Sequence, residues 1–247
     1  MWFSWFTFVA EENKTMGKTY KHIFFDLDHT LWDFERSAEE TKREMFVTFD
    51  LKKRGIKTYK AFKDVYVEIN RTLWEMYRDE TIEKDELNFR RFYDTLFFLG
   101  VNDRKLGSDM AWQFIEGISS KTYLFPYTIE IIEYLFPKYK LHIITNGFEE
   151  VQYRKLEGSG MGRYFASIIT SEAAEAKKPD PKIFRFALKK SGAKAVDSLM
   201  VGDDLIVDMA GARKVGIDQL YVNHDKLQHK ELVTMEVYSL KEILGLL

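Results

Sequence analysis

The sequence predicts an α/β fold, in which a Rossmann-like parallel sheet carries an inserted α-helical domain. Three observations lead to this prediction. Short apolar runs alternate with stretches of helical spacing, as in a parallel sheet covered by helices. One long stretch between the first two runs has helical spacing along most of its length. The 247 residues, 45% of them hydrophobic, suffice for a core with an insertion.

The predicted strands are five short apolar runs. They are residues 22–25, 141–144, 167–170, 199–201 and 220–222. Runs that are apolar along their whole length are typical of a parallel sheet, because helices cover both of its faces. We therefore place the five strands in one parallel sheet.

The segment between the first two strands, residues 34–123, is predicted to be the inserted helical domain. Its apolar side chains recur at helical spacing, for example at Phe62 and Tyr66. Thr81 and Ser108 are predicted N-caps, because a side-chain hydroxyl can accept from the free N–H groups that begin a helix.

The rest of the chain divides into a core and an extension. Residues 20–33 and 124–247 are assigned to the sheet domain, and residues 1–19 to an N-terminal extension. The apolar start of the extension lacks a basic region and a small-residue cleavage site, so we do not interpret it as an export signal. No run approaches the roughly 20 apolar residues that span a bilayer. We expect a soluble, cytoplasmic protein that does not bind a membrane.

The overall composition excludes several functional classes. The chain has 37 Lys+Arg and 39 Asp+Glu, a formal net charge of -2, which argues against binding to a nucleic acid polymer. It has no cysteine, so disulfides, thiolate metal sites and cysteine nucleophiles are excluded. Magnesium or calcium bound by oxygen ligands remains possible.

Polar side chains follow four of the predicted strands. Asp26 and Asp28 come directly after the first strand, and Lys178 follows the third. The polar residues after the other two strands are Thr145 and Asn146 and, further along, Asp203, Asp204 and Asp208. Ligands of an open α/β sheet bind at the carboxyl ends of its strands, so we expect these side chains to share one site.

The number of acidic groups at this edge predicts a metal ion. Two unit charges about 4 Å apart repel by roughly 4 kcal/mol at an effective dielectric constant near 20. Gathering Asp26, Asp28, Asp203 and Asp208 therefore favours a cation among them. Oxygen ligands favour a hard ion, and Mg²⁺ suits a site that also binds phosphate.

The four motifs resemble those of the haloacid dehalogenase superfamily of hydrolases. The matching motifs are Asp26-x-Asp28-x-Thr30, Thr145, Lys178-Pro179 and Gly202-Asp203-x-x-x-x-Asp208, within residues 20–222. The resemblance implies that the helical insertion is a mobile cap. Within the superfamily, residues 144–148 together with Gln152 and Lys155 are similar to the pyrimidine 5'-nucleotidases.

The resemblance implies a magnesium-dependent phosphatase. Asp26 is the expected nucleophile, which forms an aspartyl phosphate. Asp28 is the expected general acid and base, and this role needs a pKa above the usual value, which neighbouring carboxylates would favour. Asp26 and Asp203 are expected to bind Mg²⁺ through their carboxylates, and Asp28 through its backbone carbonyl.

The resemblance also implies a set of phosphate ligands. Thr145, Asn146 and Lys178 are expected to contact the phosphate oxygens. Asp208 is expected to act through water or by orienting Lys178, and Asp204 to replace or assist one of the other carboxylates. His29 stands where many members of the superfamily have glycine.

The expected substrate is a small phosphorylated metabolite, specifically a nucleoside monophosphate and above all a pyrimidine one. Aromatic side chains of the insertion and of the loop after the first strand are candidates for stacking on a base. They are Trp32, Trp74, Tyr77, Phe89, Phe92 and Tyr93. Arg90 and Arg91 are expected to lie on a solvated helix face.

Two alternatives remain beside the nucleotidase. The first is a sugar-phosphate phosphatase or a phosphomutase of the same superfamily. The second is a non-catalytic module that binds a phosphorylated ligand.

Overall fold

The structure, a computed structural model, describes residues 19–247, so the predicted N-terminal extension lies outside the described residues apart from Thr19. Six parallel strands form one sheet in the order β3-β2-β1-β4-β5-β6. They are β1 (His22–Phe25), β2 (Lys140–Thr145), β3 (Phe165–Thr170), β4 (Ser198–Gly202), β5 (Asp218–Val222) and β6 (Met235–Val237). The parallel sheet is thus confirmed. The sequence did not predict β6.

Helices occupy the connections between successive strands from β1 to β5. Those between β1 and β2 are α1 (Phe34–Thr48), α2 (Tyr59–Arg78), α3 (Lys84–Phe98), α4 (Arg104–Ser120) and α5 (Thr128–Leu135). The later ones are α6 (Glu149–Gly158), α7 (Ser171–Ala174), α8 (Pro181–Ser191) and α9 (Gly211–Arg213). No helix in residues 19–247 is long and apolar enough to cross a membrane.

Alternating side chains of the strands pack on opposite faces of the sheet, as the period of two requires. Phe25 and Val201 face one apolar cluster, which includes Ile131 and Ile132 of α5. Phe24, by contrast, joins the cluster on the other face, against α8. Helices therefore cover both faces, which explains why the strands are apolar throughout.

Helices α1–α4, hereafter the helical insertion, pack around an apolar cluster whose buried members lie in the insertion, apart from Phe148 and Val151 of the sheet domain. The predicted N-caps in this region are wrong. Thr58 caps α2 by accepting from Ala61 N, and Asp103 caps α4 by accepting from Leu106 N. Thr81 lies two residues before Glu83, the N-cap position of α3, whereas Ser108 lies inside α4, which begins earlier, at Arg104.

The two connections between the helical insertion and the sheet lie side by side. The backbone N–H of Asp33 donates to Tyr123 O, and that of Phe125 donates to Leu31 O. The helical insertion therefore leaves and rejoins the sheet domain at one place. The predicted domain limits, residues 34 and 123, stay a prediction that this arrangement supports.

Candidate active site

The order of the strands brings three of the predicted motifs together. Because β1 lies between β2 and β4, Asp26 after β1 is flanked by Thr145 at the end of β2 and by Asp203 after β4. All three side chains line one cavity of about 340 Å³, which also includes Lys178 and Asp208. The expectation of a shared edge thus matches the geometry.

Three carboxylates form the centre of this edge. One oxygen atom from each of Asp26, Asp203 and Asp208 lies within 4.8 Å of the others. Asp208 comes from a π-helical segment, Leu205–Ala210, that follows β4. A Cβ atom on Gly202 would lie 2.5 Å from Asp208 Oδ2, so glycine is needed here for the carboxylate to reach the cluster.

Lys178 neutralises part of this charge. Its ammonium group donates to Asp26 Oδ1 at 2.5 Å and to Asp208 Oδ1 at 2.6 Å, and the side chain is 2% exposed. Burial alone would lower the pKa of Lys178, but the two carboxylates raise it above the usual value, so the group is charged. The expected orientation of Lys178 by Asp208 is present.

Excess negative charge remains when Lys178 is counted. Three carboxylates and one ammonium group, all ionised, give a net charge of -2. Burial raises the pKa of Asp26 well above its usual value and that of Asp203 to about 7, and Asp208 adds to both shifts. The raised pKa values mean that the carboxylates repel one another when all are ionised. A hard divalent cation would offset this repulsion, and the cluster supplies the oxygen ligands that such an ion prefers.

Asp28 lies in a different electrostatic environment from the one expected. Lys155 forms an ion pair with Asp28 Oδ1, and Gln152 Nε2 donates to its Oδ2 at 2.7 Å. Burial alone would raise the pKa of Asp28, but the charge and hydrogen bond of Lys155 lower it below the usual value. The predicted rise in the pKa of Asp28 is therefore wrong for this arrangement, since the nearest charge is a cation.

Two further residues, Thr30 and Asp204, form hydrogen bonds next to the cluster, Thr30 with a carboxylate and Asp204 with the backbone. Thr30 Oγ1 donates to Asp203 Oδ1 at 2.7 Å and so orients that carboxylate. Asp204 Oδ1 accepts from the backbone N–H groups of Ile206 and Val207, both at 2.8 Å. Asp204 is thus an N-cap of the π-helical segment, and it is absent from the carboxylate cluster described above.

The loop after β2 is held by its own side chains. Thr145 Oγ1 accepts from Gly147 N at 3.0 Å. The Asn146 carboxamide donates to Lys178 O at 2.9 Å and accepts from Lys178 N at 2.8 Å. Asn146 therefore fixes the position of Lys178. A contact of the Asn146 side chain with phosphate stays a prediction.

The helical insertion forms the opposite wall of the cavity. The lining residues of the helical insertion are Phe34, Glu35, Asn70, Arg71, Trp74, Arg78, Arg91, Ile115 and Ile118. Of the six aromatic candidates from the sequence, Trp74 lines the cavity, and its ring stacks on Phe148 of the sheet domain at 5.7 Å between centroids. Trp32 and Phe92 are instead buried in apolar clusters.

Arg91 corrects one expectation directly. Arg90 is partly exposed and forms ion pairs with Glu86 and Asp94. Arg91, however, is 2% exposed and lines the cavity. The reason is helical spacing, because Arg91 lies four residues after Leu87, a buried residue on the same face of α3.

Known proteins are similar to this chain in sequence and in structure. A family model described as haloacid dehalogenase-like hydrolase matches residues 20–216. The chain belongs to this family. The resemblance drawn from the four motifs is thereby confirmed, and this hydrolase carries them at one edge of its sheet.

Several relatives of this hydrolase cover nearly the whole chain. It is 30% identical to pyrimidine 5'-nucleotidase PynA of Streptococcus pneumoniae over 232 residues, 92% of this chain and 95% of the relative. It is 27% identical to glyceraldehyde 3-phosphate phosphatase of Methanopyrus kandleri over 223 residues, 85% and 87% of the two chains. The crystal structure of YfnB from Bacillus subtilis bound to magnesium matches with a TM-score of 0.83 and 26% identity, over 93% of this chain and 99% of that chain.

Sequence reasoning assigned no chemical role to three residues that the site contains. Lys155 and Gln152 both contact Asp28, and their spacing of three residues places them on one face of α6. That spacing, read together with Asp28, was the available signal. Arg91 was missed because its neighbour Arg90 shares its residue type and lies on the solvated side.

Proposed function

We propose that this hydrolase is a phosphomonoesterase that acts as a 5'-nucleotidase on nucleoside monophosphates, above all pyrimidine ones. One observation carries the proposal. A single cavity joins the carboxylate and lysine cluster, which suits a phosphate, to a wall that contains an aromatic ring, an amide and a guanidinium group. The likeness to PynA over most of both chains supports the same conclusion.

In this proposal Mg²⁺ is held by Asp26 and Asp203, with Asp208 close by and the backbone carbonyl of Asp28 as a further ligand. The carboxylate cluster and its net charge support such an ion. When bound, Mg²⁺ would supply positive charge against the phosphate oxygens. Thr145 and Lys178 are proposed to contact the same oxygens, and the position of Lys178 depends on Asn146.

The reaction proceeds in two displacements. A carboxylate oxygen of Asp26 forms a bond to phosphorus, the bond from phosphorus to the sugar oxygen breaks, and that oxygen takes a proton from Asp28. Asp28 then accepts a proton from water, which attacks the aspartyl phosphate and releases inorganic phosphate. The ion pair with Lys155 favours the ionised form of Asp28, which the second displacement requires, whereas the first displacement requires the protonated form, which the same ion pair disfavours.

An activity on sugar phosphates is the second candidate, because the chain is also similar to a glyceraldehyde 3-phosphate phosphatase. A phosphomutase shares the first displacement but returns the phosphoryl group to a substrate. The aromatic wall of the cavity favours the nucleotide, since a base can stack on Trp74 and a three-carbon aldehyde cannot. A cytoplasmic location fits a small phosphorylated substrate.

The test is a phosphate-release screen with Mg²⁺ over nucleoside monophosphates and sugar phosphates. We expect the highest kcat/KM with pyrimidine nucleotides and complete loss of turnover after chelation, restored by added Mg²⁺. A preference for sugar phosphates would replace the proposal with the second candidate. Binding of nucleotides without any release of phosphate would indicate a non-catalytic module.

A further inference from the structure

The cavity contains polar atoms that no residue satisfies. Three residues that line it have a buried side-chain atom without a hydrogen-bond partner in the described part of the chain. These atoms are Asn70 Oδ1, Arg91 Nε and Gln152 Oε1. A buried donor or acceptor that is left unpaired costs about 1–3 kcal/mol. Such atoms in a ligand cavity indicate groups that a ligand completes.

Asn70 and Arg91 both belong to the helical insertion, and a row of side chains on α2 connects them. Tyr66, Asn70 and Trp74 follow one another at intervals of four residues. They therefore lie on one face of the helix, with about 6 Å along its axis between successive members. The Tyr66 ring packs against Phe92, the residue after Arg91, with 5.2 Å between the ring centroids. The order along the wall is therefore Arg91 with Tyr66, then Asn70, then the aromatic ring of Trp74.

The environment of Arg91 determines what kind of group it lacks. Its guanidinium donates to Asn88 Oδ1 and lies 4.7 Å from the centroid of the Phe114 ring. These contacts are both neutral, and the side chain is 2% exposed. The ring face partly stabilises the cation. Among the guanidinium nitrogens, Nε is the buried one without an acceptor in the described residues, and a neutral carbonyl oxygen can accept from it.

Asn70 supplies the complementary group. Its free atom is an acceptor, so it needs an N–H donor from the ligand. A ligand that offers a donor to Asn70 and an acceptor to Arg91 matches a lactam edge, in which N–H adjoins C=O. Uracil and thymine carry this edge at N3 and at the neighbouring carbonyl oxygens.

We propose that Asn70 and Arg91 recognise the N–H and C=O edge of a pyrimidine base whose face stacks on Trp74. This inference rests on the proposed nucleotidase function and names the specificity residues of its leaving group. Asn70 accepts from the ring N–H, and Arg91 Nε donates to the carbonyl oxygen. Both residues act on binding of the base and not on the phosphate.

The first test uses the unaltered enzyme and three substrates. They are uridine monophosphate, the same nucleotide methylated at N3, and ribose 5-phosphate. Methylation removes the N–H that Asn70 accepts, so we expect kcat/KM to fall about 10- to 100-fold relative to uridine monophosphate. Equal kcat/KM for the methylated and unmethylated nucleotides would overturn the inference and leave the nucleotidase function intact.

The second test uses variants of the wall. Asn70→Leu and Arg91→Gln should each lower kcat/KM for uridine monophosphate about 10- to 100-fold. For ribose 5-phosphate, which has no base, the change should stay below about threefold. Arg90→Gln is the matched control on the neighbouring, outward-facing residue, and its kinetics should equal those of the wild type.

The pattern of losses separates the outcomes. An equal loss on both substrates in Asn70→Leu would assign Asn70 to the catalytic geometry and overturn the inference. If Arg91→Gln fails to fold, the kinetics of Asn70→Leu and of the methylated nucleotide still test the inference. Higher kcat/KM for a sugar phosphate with a second anionic group than for any nucleotide would overturn both the inference and the proposed function.

Discussion

The two walls of the cavity differ in how their polar groups are satisfied. On the sheet side each carboxylate of the cluster has a donor: Lys178 donates to Asp26 and Asp208, and Thr30 donates to Asp203. On the side of the helical insertion, Asn70 Oδ1 and Arg91 Nε have no partner within residues 19–247. The carboxylates that carry the proposed chemistry are thus held in place before a substrate binds, whereas Asn70 and Arg91, which would select the substrate, are completed by it.

The largest effect should come from the sheet wall. Asp26→Asn keeps the shape of the side chain but removes the nucleophilic oxygen, so kcat should fall at least about 10⁴-fold for every substrate. The measurement is steady-state phosphate release, with the melting temperature as a check that the variant folds. Activity near the wild-type level would remove Asp26 from the role of nucleophile.

A smaller loss should follow from removing a donor to the sheet wall. Lys155→Met deletes the cation that positions Asp28, so we expect kcat to fall about 10- to 100-fold with little change in KM. Lys155→Arg keeps the charge and should restore part of the rate. Arg154→Met, which breaks a surface pair with Glu116, is the matched control and should leave kcat unchanged. A rise in KM alone would contradict the positioning of Asp28 by Lys155.

On the opposite wall the expected effect is confined to certain substrates. Trp74→Ala removes the stacking surface, so KM for nucleotides should rise about tenfold while KM for sugar phosphates stays nearly constant. Trp112→Ala changes an exposed tryptophan of the same helical insertion and serves as the control. If Trp74→Ala raised KM for both substrate classes alike, the assignment of base stacking to Trp74 would be wrong.

The smallest effect lies outside both walls and concerns stability. His142 is buried in β2, hydrogen-bonded to His22 at 3.0 Å and to Ser167 at 2.7 Å. Burial lowers the pKa of His142 to about 4, and the charges of His22 and Lys140 act in the same direction. Between this value and about 6.5 the unfolded chain binds a proton that the folded chain does not, so the free energy of unfolding falls as the pH falls.

The measurement is denaturant unfolding at pH 7 and pH 5.5. This histidine should reduce the free energy of unfolding by about 1 kcal/mol over that interval. His142→Gln should show a smaller decrease than the wild type, even if it is less stable at both pH values. An identical decrease in both proteins would mean that the proton is taken up elsewhere.

Part of the sheet wall was predictable from the sequence because Asp26, Thr145 and Asp203 stand at the end of a strand or directly after it. Strand β1 was predicted with its observed limits, and Asp26 and Asp28 come right after it. The contacts of Asp28 were not predictable in the same way, because Lys155 lies 127 residues further along the chain. Strand β6 was missed because its three residues, Met-Glu-Val, are too short a run to distinguish from a loop.

The wall of the helical insertion was harder to predict for a physical reason. Helical spacing identifies a buried face but does not say whether that face meets an apolar core or a cavity. Phe92 and Arg91 are neighbours on α3, yet one packs in the apolar cluster and the other lines the cavity. Only the packing of α3 against α2 distinguishes them.

The paired connections of the helical insertion have a consequence for evolution. A unit that leaves and rejoins the sheet through the hydrogen-bonded segments 31–33 and 123–125 can lengthen, shorten or be exchanged without disturbing the register of the strands. Mutations that alter selectivity can accumulate in such a module while the reactive centre stays constant. New preferences can then arise by remodelling a part of the molecule whose apolar cluster includes just two buried residues of the sheet domain, Phe148 and Val151.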